Sequence, residues 1–305
     1  MSYSRKNNSL KKMLLKVWES AHRRTPPKGR PNGVEIIATL RRGGKIYFVF
    51  VKEYRIPFAA YCLEFPAGLL EDNETVVEGA MRELKEETGY VACKVTSVSG
   101  GKQPMHSQMS DVCTCFATAE IDGDTKENEN PKSRLDDAEE IEVCESIHRK
   151  APTAGRPHCV EVITILHKGG NDYFVFIKEY RIPMNGYCFE FPAGLLEEDE
   201  TVDDAARREL KEETGYTASK VTRLCESRHP LAAYITDNSA SYALAEVDGD
   251  STENRNPKLC LDDAEIIEVV EVECNKALAY VQSIATEVHV DGMVYAFLLG
   301  YTCSH

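Results

Sequence analysis

The chain has no long apolar run. Its most continuous one near the end, Met293–Leu299 with Gly292 and Gly300 beside it, falls far short of the roughly 20 residues that cross a bilayer. The opening MSYSRKNNSLKK has no apolar core of signal-peptide length, which argues against secretion. Basic residues are outnumbered, 36 Lys and Arg against 50 Asp and Glu, and the net charge of −14 disfavours nonspecific contact with nucleic acid or an anionic membrane. Tryptophan occurs once, at Trp18. CxxC pairs are missing although there are 11 cysteines. Their odd number and their scatter, partly inside strand-like runs (Cys113, Cys115), fit buried free thiols in a reducing cytosol. The expected compartment is therefore the cytoplasm, with the nucleus as the alternative.

What is present is repetition. The stretch Gly68–Tyr90, GLLEDNETVVEGAMRELKEETGY, recurs almost unchanged as Gly194–Tyr216, 126 positions later. The same offset joins Arg30-Pro31 to Arg156-Pro157, Asp122-Gly123-Asp124 to Asp248-Gly249-Asp250, and Asp136-Asp137-Ala138-Glu139 to Asp262-Asp263-Ala264-Glu265. No gap is needed, so the chain reads as a tandem duplication, not a solenoid of short repeats. At 305 residues and 42% hydrophobic, it has room for two ordinary domains with their own cores. The expected division is 1–142 and 143–305. No linker separates the units, because Glu140-Ile141-Glu142-Val143 runs directly into Cys144–Arg149, the counterpart of Trp18–Arg23. After Val269 comes a segment without a counterpart in the first unit: Leu278, Val281 and Ala285 at helical spacing, then MVYAFLLGY. The first unit thus lacks a C-terminal helix of its own. Either it folds without one or the units share elements.

Within each unit the pattern is α/β (α+β), a mixed sheet with packed helices. Val34–Leu40 and Tyr47–Tyr54 are β-branched and aromatic runs joined by Arg41-Arg42-Gly43-Gly44, a hairpin signal. Val112–Ile121 reads as a strand closed by the Asp122-Gly123 turn. In the repeated stretch Val76, Ala80 and Leu84 have helical spacing, and Gly89 suits the left-handed position past a helix end. Glu83, Glu86 and Glu87, like Glu209, Glu212 and Glu213, then fall on one helix face. Like charges so close repel unless a divalent cation neutralises them. An all-oxygen donor set favours Mg²⁺, with Mn²⁺ as the alternative. From this spacing alone a solvated acidic face is the competing description.

The surrounding frame decides between the two. Gly68, Glu74, Arg82, Glu83, Leu84, Glu86, Glu87, Gly89 and Tyr90 resemble a complete Nudix box, met again at Gly194, Glu200, Arg208, Glu209, Leu210, Glu212, Glu213, Gly215 and Tyr216. The chain thus resembles the Nudix hydrolases, which implies a loop-helix-loop holding divalent metal against a nucleoside diphosphate linked to another group. The flanks Lys52–Pro57 and Tyr61–Gly68, repeated as Lys178–Pro183 and Tyr187–Gly194, resemble the ADP-sugar (ADP-ribose) pyrophosphatase branch.

That resemblance implies metal ligation by Glu83, Glu86, Glu87 and the Ala67 carbonyl in the first unit, and by Glu209, Glu212, Glu213 and the Ala193 carbonyl in the second. It implies phosphate contacts from Arg55 and Arg181, for which a surface ion pair is the competing reading. Glu139 and Glu265 match the loop glutamate that deprotonates or orients the attacking water, with Glu86 and Glu212 also catalytic. Trp18, Glu19 and Arg23, with Glu145 and Arg149, match substrate-binding positions at the head of each unit. The expected partner is a small nucleotide-sugar, with no nucleic acid and no membrane. The implied arrangement is a pseudo-dimer within the chain, further self-association being left open. ADP-ribose would give AMP and ribose 5-phosphate. A non-catalytic binding module, or an enzyme of dinucleoside polyphosphates or NADH, are the alternatives. The chain departs from the branch after the box, where His106-Ser107 and Ala232-Ala233 replace an acidic residue and proline, so the terminal group of the substrate stays undecided.

Overall fold

The computed structural model describes residues 2–5, 19–22, 30–55, 57, 59–99, 102–107, 110–133, 156–225, 227–231, 236–261 and 266–304. Near the start, β1 (Ser2–Arg5) pairs antiparallel with β2 (Glu19–His22). The first unit continues with β3 (Gly33–Arg42), β4 (Lys45–Phe48), β5 (Val51–Arg55), β6 (Ala60–Glu64), β7 (Ala67–Leu69), α1 (Val76–Thr88), β8 (Lys94–Ser97), β9 (Gln103–Pro104) and β10 (Cys113–Asp122). The second unit has β11 (Cys159–Lys168), β12 (Asn171–Arg181), β13 (Gly186–Glu190), β14 (Ala193–Leu195), α2 (Val202–Thr214), β15 (Lys220–Arg223), β16 (His229–Pro230) and β17 (Ser239–Asp248). It then adds β18 (Ile267–Glu273), α3 (Ala277–Ile284), β19 (His289–Val290) and α4 (Gly292–Ser304).

Each unit is built on the same parallel pair. β10 lies parallel to β3 and β17 parallel to β11, at the centre of sheets ordered β4-β3-β10-β8 and β15-β17-β11-β12-β13-β19. The expected hairpin turn is present: Gly43 and Gly44 both take positive φ, 56° and 74°, which fits a two-residue connection of right-twisted strands. Alternation buries Val34, Ile36, Ala38 and Leu40 of β3 against Ala80 and Leu84 of α1. Val160, Val162 and Leu166 meet Ala205, Ala206 and Leu210 in the same way.

The units differ on the other face. The run expected as one strand over Tyr47–Tyr54 is divided into β4 and β5 in the first unit, whereas β12 is continuous over Asn171–Arg181. The continuous strand has a further neighbour: β18 pairs with β12 from Tyr173 to Glu179, while among the described residues β5 pairs only with β6. The same segment buries side chains. Phe174 and Phe189 are fully buried with Val281, Val294 and Leu298, while the equivalent Phe48 and Leu63 are 61% and 68% exposed.

The units also touch. Phe116 of β10 joins the apolar cluster of the second unit, stacked on Tyr295 with ring centroids 6.0 Å apart. The Tyr295 hydroxyl donates to the Val98 carbonyl, and Ser107 reaches Glu190 of β13. A cavity of about 530 Å³ opens between the units, lined by Glu35, Glu64 and Phe65 of the first and by Glu161, Glu190 and Phe191 of the second, among others.

Candidate active site

The box helices start and stop where local chemistry requires. Thr75 accepts from the Glu78 N–H while Glu78 reaches back to the Thr75 N–H at 2.9 Å, a reciprocal cap that satisfies two orphan donors. In α2 Thr201 caps Asp204 in the same sense. Both helices end on a left-handed glycine, Gly89 (φ 74°) and Gly215 (φ 76°), whose N–H returns to Lys85 and Lys211. A side chain at either would collide with the backbone of Lys132 or Lys258.

One arginine organises each acidic face. Arg82 grips Glu74 with two bonds of 2.9 Å, holds Glu83 at 2.7 Å and Glu86 at 3.0 Å through Nη1, and donates to the Leu69 carbonyl. Arg208 repeats this with Glu200 (2.8 Å twice), Glu209 (2.7 Å), Glu212 (3.1 Å) and the Leu195 carbonyl. These bonds hold the Glu74 carboxyl below its usual range. Glu87 faces the preceding loop, accepting from the Ala67 N–H at 3.0 Å, as Glu213 accepts from Ala193 at 2.9 Å. Burial pushes Glu87 up to about 7, Glu213 well above its ordinary value, and Glu83 upward against the pull of Arg82.

The donors suit a hard cation. They are carboxylate oxygens next to the loop residues Ala67 and Ala193, whose N–H groups hold Glu87 and Glu213, and burial leaves their charge only partly compensated. The loop glycine makes the room: a Cβ on Gly68 would overlap the Glu83 carboxylate, and one on Gly194 would overlap that of Glu209. Among the described residues no three acidic, histidine or cysteine groups converge at metal-ligand spacing. A cation on this face would have to draw Glu83 and Glu86 from Arg82, and Glu209 and Glu212 from Arg208.

Arg55 and Arg181 sit at the ends of β5 and β12 and are engaged in ion pairs. Arg55 meets Glu64 at 2.6 Å and Glu53 at 3.0 Å; Arg181 meets Glu190 at 2.5 Å and Glu179 at 2.8 Å. The second pair is more enclosed, with the Glu190 side chain 9% exposed against 31% for Glu64. Burial pushes the Glu190 carboxyl up, but Arg181 and the Ser107 hydroxyl outweigh it and hold it below its usual range.

Of the residues the sequence singles out, the structure brings Glu83, Glu86 and Glu87 to one helix face beside Ala67, and Glu209, Glu212 and Glu213 beside Ala193. Glu19 opens β2. Trp18, Arg23, Glu139, Glu145, Arg149 and Glu265 lie outside the described residues. Sequence reasoning passed over Glu35, Glu161 and Asp291, which line the cavity between the units. Burial raises all three, Glu35 and Asp291 to about 7 and Glu161 well above its ordinary value, the neighbouring Glu64, Glu190 and Asp291 adding to the effect. Glu35 and Glu161 occupy matching places in strands that otherwise read as apolar, a signal that could have found them. Asp291 belongs to the segment without a counterpart, so the repeat gave no pointer to it.

Comparison with known proteins bears on the family of the chain. The NUDIX domain model matches residues 29–158 and 155–288. A Caenorhabditis elegans protein named "Putative nudix hydrolase 2" is 48% identical over 128 residues, 42% of this chain and 57% of that protein. The "ADP-sugar pyrophosphatase" of Mus musculus is 33% identical over 141 residues, 45% of this chain and 64% of its own. The "ADP-ribose pyrophosphatase" of Saccharomyces cerevisiae is 36% identical over 130 residues, 41% of this chain and 54% of its own. The matched stretch therefore spans between about half and two thirds of these relatives. With one family model satisfied twice and the box built in full at both places, the chain belongs to the NUDIX family as two tandem NUDIX domains.

Proposed function

We propose that the chain hydrolyses the pyrophosphate bond of ADP-ribose or a related ADP-sugar, releasing AMP and a sugar phosphate, with Mg²⁺ as cofactor. The observation that carries this reading is the duplicated box geometry, in which one arginine gathers three glutamates beside a loop glycine in both units. The names of the mouse and yeast relatives favour an ADP-linked substrate. Domain limits of 1–142 and 143–305 fit the repeat, and a division of the active sites between the units fits the shared cavity.

Glu83, Glu86 and Glu87 with the Ala67 carbonyl would hold the ion in the first unit, and Glu209, Glu212 and Glu213 with the Ala193 carbonyl in the second. Bound Mg²⁺ supplies neutralisation of the diphosphate and activation of water. Arg55 and Arg181 present guanidinium edges suited to phosphate oxygens, and their glutamate partners fix those edges in place. Glu139 and Glu265 are the groups assigned to take the proton from water. Trp18 and the head residues Glu19, Arg23, Glu145 and Arg149 are assigned to the nucleotide. The apolar and aromatic cavity wall, with Phe65 and Phe191, gives a nucleobase a surface to leave water against.

The test is a substrate panel with the full chain and Mg²⁺: ADP-ribose, other ADP-sugars, NADH and dinucleoside polyphosphates, with products resolved by chromatography. AMP and ribose 5-phosphate from ADP-ribose is the expected result. Tight ADP-ribose binding without AMP release would replace the enzyme by a binding module, and turnover confined to NADH or dinucleoside polyphosphates would move the substrate class.

A further inference from the structure

The loop that departs from the family branch in the first unit does not stay in that unit. Ser107, 3% exposed, places its Oγ 2.5 Å from Glu190 Oε1 across the boundary between the units. Glu190 in turn receives Nε and Nη2 of Arg181, whose remaining Nη1 pairs with Glu179. The hydroxyl therefore completes the set of donors around one carboxylate and fixes the face that Glu190 offers to Arg181. A hydrogen bond to a buried charged group is worth more than one to a neutral partner, because the carboxylate has no water to turn to instead.

Among the described residues, Glu64 of the first unit accepts side-chain hydrogen bonds from Arg55 alone. The position matching Ser107 in the second unit is Ala233, which carries no hydroxyl, and the position matching His106 is Ala232. Arg55 and Glu64 form the corresponding ion pair in the first unit, with the Glu64 side chain more than three times as exposed. Among the described residues, further ordering is added to the second unit alone: β19 lies parallel to β13, and the Asp291 N–H donates to the Phe189 carbonyl next to Glu190.

We infer that Ser107 of the first unit is a positioning residue for the site of the second, acting through Glu190 to set Arg181, and that the second unit is consequently the better-organised of two unequal sites. The inference rests on the reading of Arg181 as a phosphate-binding residue. It makes the first unit more than a duplicate. Its post-box loop serves the neighbouring site, and Ala233, at the matching position of the second unit, has no hydroxyl to offer in return.

The experiment uses the full chain in two backgrounds, one with the first box disabled by Glu86→Gln and Glu87→Gln, the other with the second disabled by Glu212→Gln and Glu213→Gln. In the first background, Ser107→Ala raises KM for ADP-ribose about three- to tenfold while kcat stays within about twofold, less than the roughly tenfold or more of a direct charge-assisted bond because the hydroxyl acts through Glu190. The rise exceeds that in the second background by at least about threefold. Combining Ser107→Ala with Glu190→Gln adds no further increase over Glu190→Gln alone, because the hydroxyl acts through that carboxylate. Equal rises in both backgrounds, an unchanged KM in the first, additive effects in the cycle, or no turnover from the second unit while the intact chain is active would each overturn the inference. If the intact chain releases no AMP, the proposed function falls instead. Ser107 is then tested by calorimetric ADP-ribose affinity in the same two backgrounds, where an equal change in both rejects it.

Discussion

The hydroxyl of Tyr295 donates to the carbonyl of Val98 at 2.5 Å, joining residues 197 positions apart and tying the last helix of the second unit to the first. The same ring lies stacked over Phe116 with an interplanar angle of 2°. Tyr295→Phe removes the bond and keeps the ring, and is expected to lower stability by about 1–2 kcal/mol. Tyr295→Ala also empties a fully buried position, which costs about 3–5 kcal/mol. Urea unfolding followed by fluorescence and circular dichroism measures both. Equal stability of Tyr295→Phe and the parent would show that this bond adds nothing.

Metal dependence and native stability should separate in the box. Burial disfavours the Glu213 carboxylate, so Glu212→Gln with Glu213→Gln is expected to leave the metal-free melting temperature unchanged or raised. The rise in melting temperature that Mg²⁺ gives the parent shrinks in the variant by the share of that site. Its kcat/KM at that site drops by roughly a hundredfold or more. An undiminished Mg²⁺ shift and full turnover after both boxes are changed would remove these glutamates from the metal site.

Gly194→Ala tests the same face from the loop. Its Cβ would meet the Glu209 carboxylate, the far end of a flexible side chain, so the side chain can swing away at small cost in stability. The displaced carboxylate should weaken Mg²⁺ binding by about tenfold or more, as loss of a well-placed ligand does. Titration calorimetry in the background lacking the first box reads the change. Retention of parent affinity would mean that Glu209 can leave its place without consequence.

The cavity acid Asp291 predicts a sign for pH dependence. Burial, with Glu190 beside it, raises this carboxyl to about 7, against about 3.9 in an unfolded chain. Between those values the native state holds more protons than the unfolded state, so stability contributed by this group is full at low pH and is lost as pH climbs to about 7. Asp291→Asn keeps the acceptor that caps the Met293 N–H at 2.8 Å and removes the titration. Thermal melts from pH 5 to 8 should therefore fall less steeply for the variant, with the two curves converging toward acid. Parallel curves would place the titration elsewhere, with Glu161 as the next candidate.

The sequence made the box legible because its order is local. Val76, Ala80 and Leu84 announced the helix, Gly89 its end, and the three glutamates a shared face, all within one stretch whose partners lie a few residues away. The Gly43-Gly44 turn and the helix carrying Leu278 and Val281 were readable for the same reason, whereas α4 over MVYAFLLGY was not singled out as a helix. Long-range placement was not. Nothing in Tyr47–Tyr54 says that its copy in the second unit will be held continuous by β18, since the deciding contact comes from Ile267–Glu273. Ser107 stood out only as a departure from the branch pattern, and its partner Glu190 sits in a different unit. Arg55 and Arg181 could be read as phosphate ligands or ion-pair partners. The structure pairs each with glutamates, which fixes their direction.

The link between Ser107 and Glu190 spans 83 positions of one polypeptide. A cavity whose walls come from separate chains forms in a bimolecular step and dissolves on dilution. Here the two walls are tethered, so closure is unimolecular and the effective concentration of one wall at the other is set by the connecting segment. Whatever the cavity takes up, its binding per chain should hold constant as the protein is diluted, because each chain carries both walls.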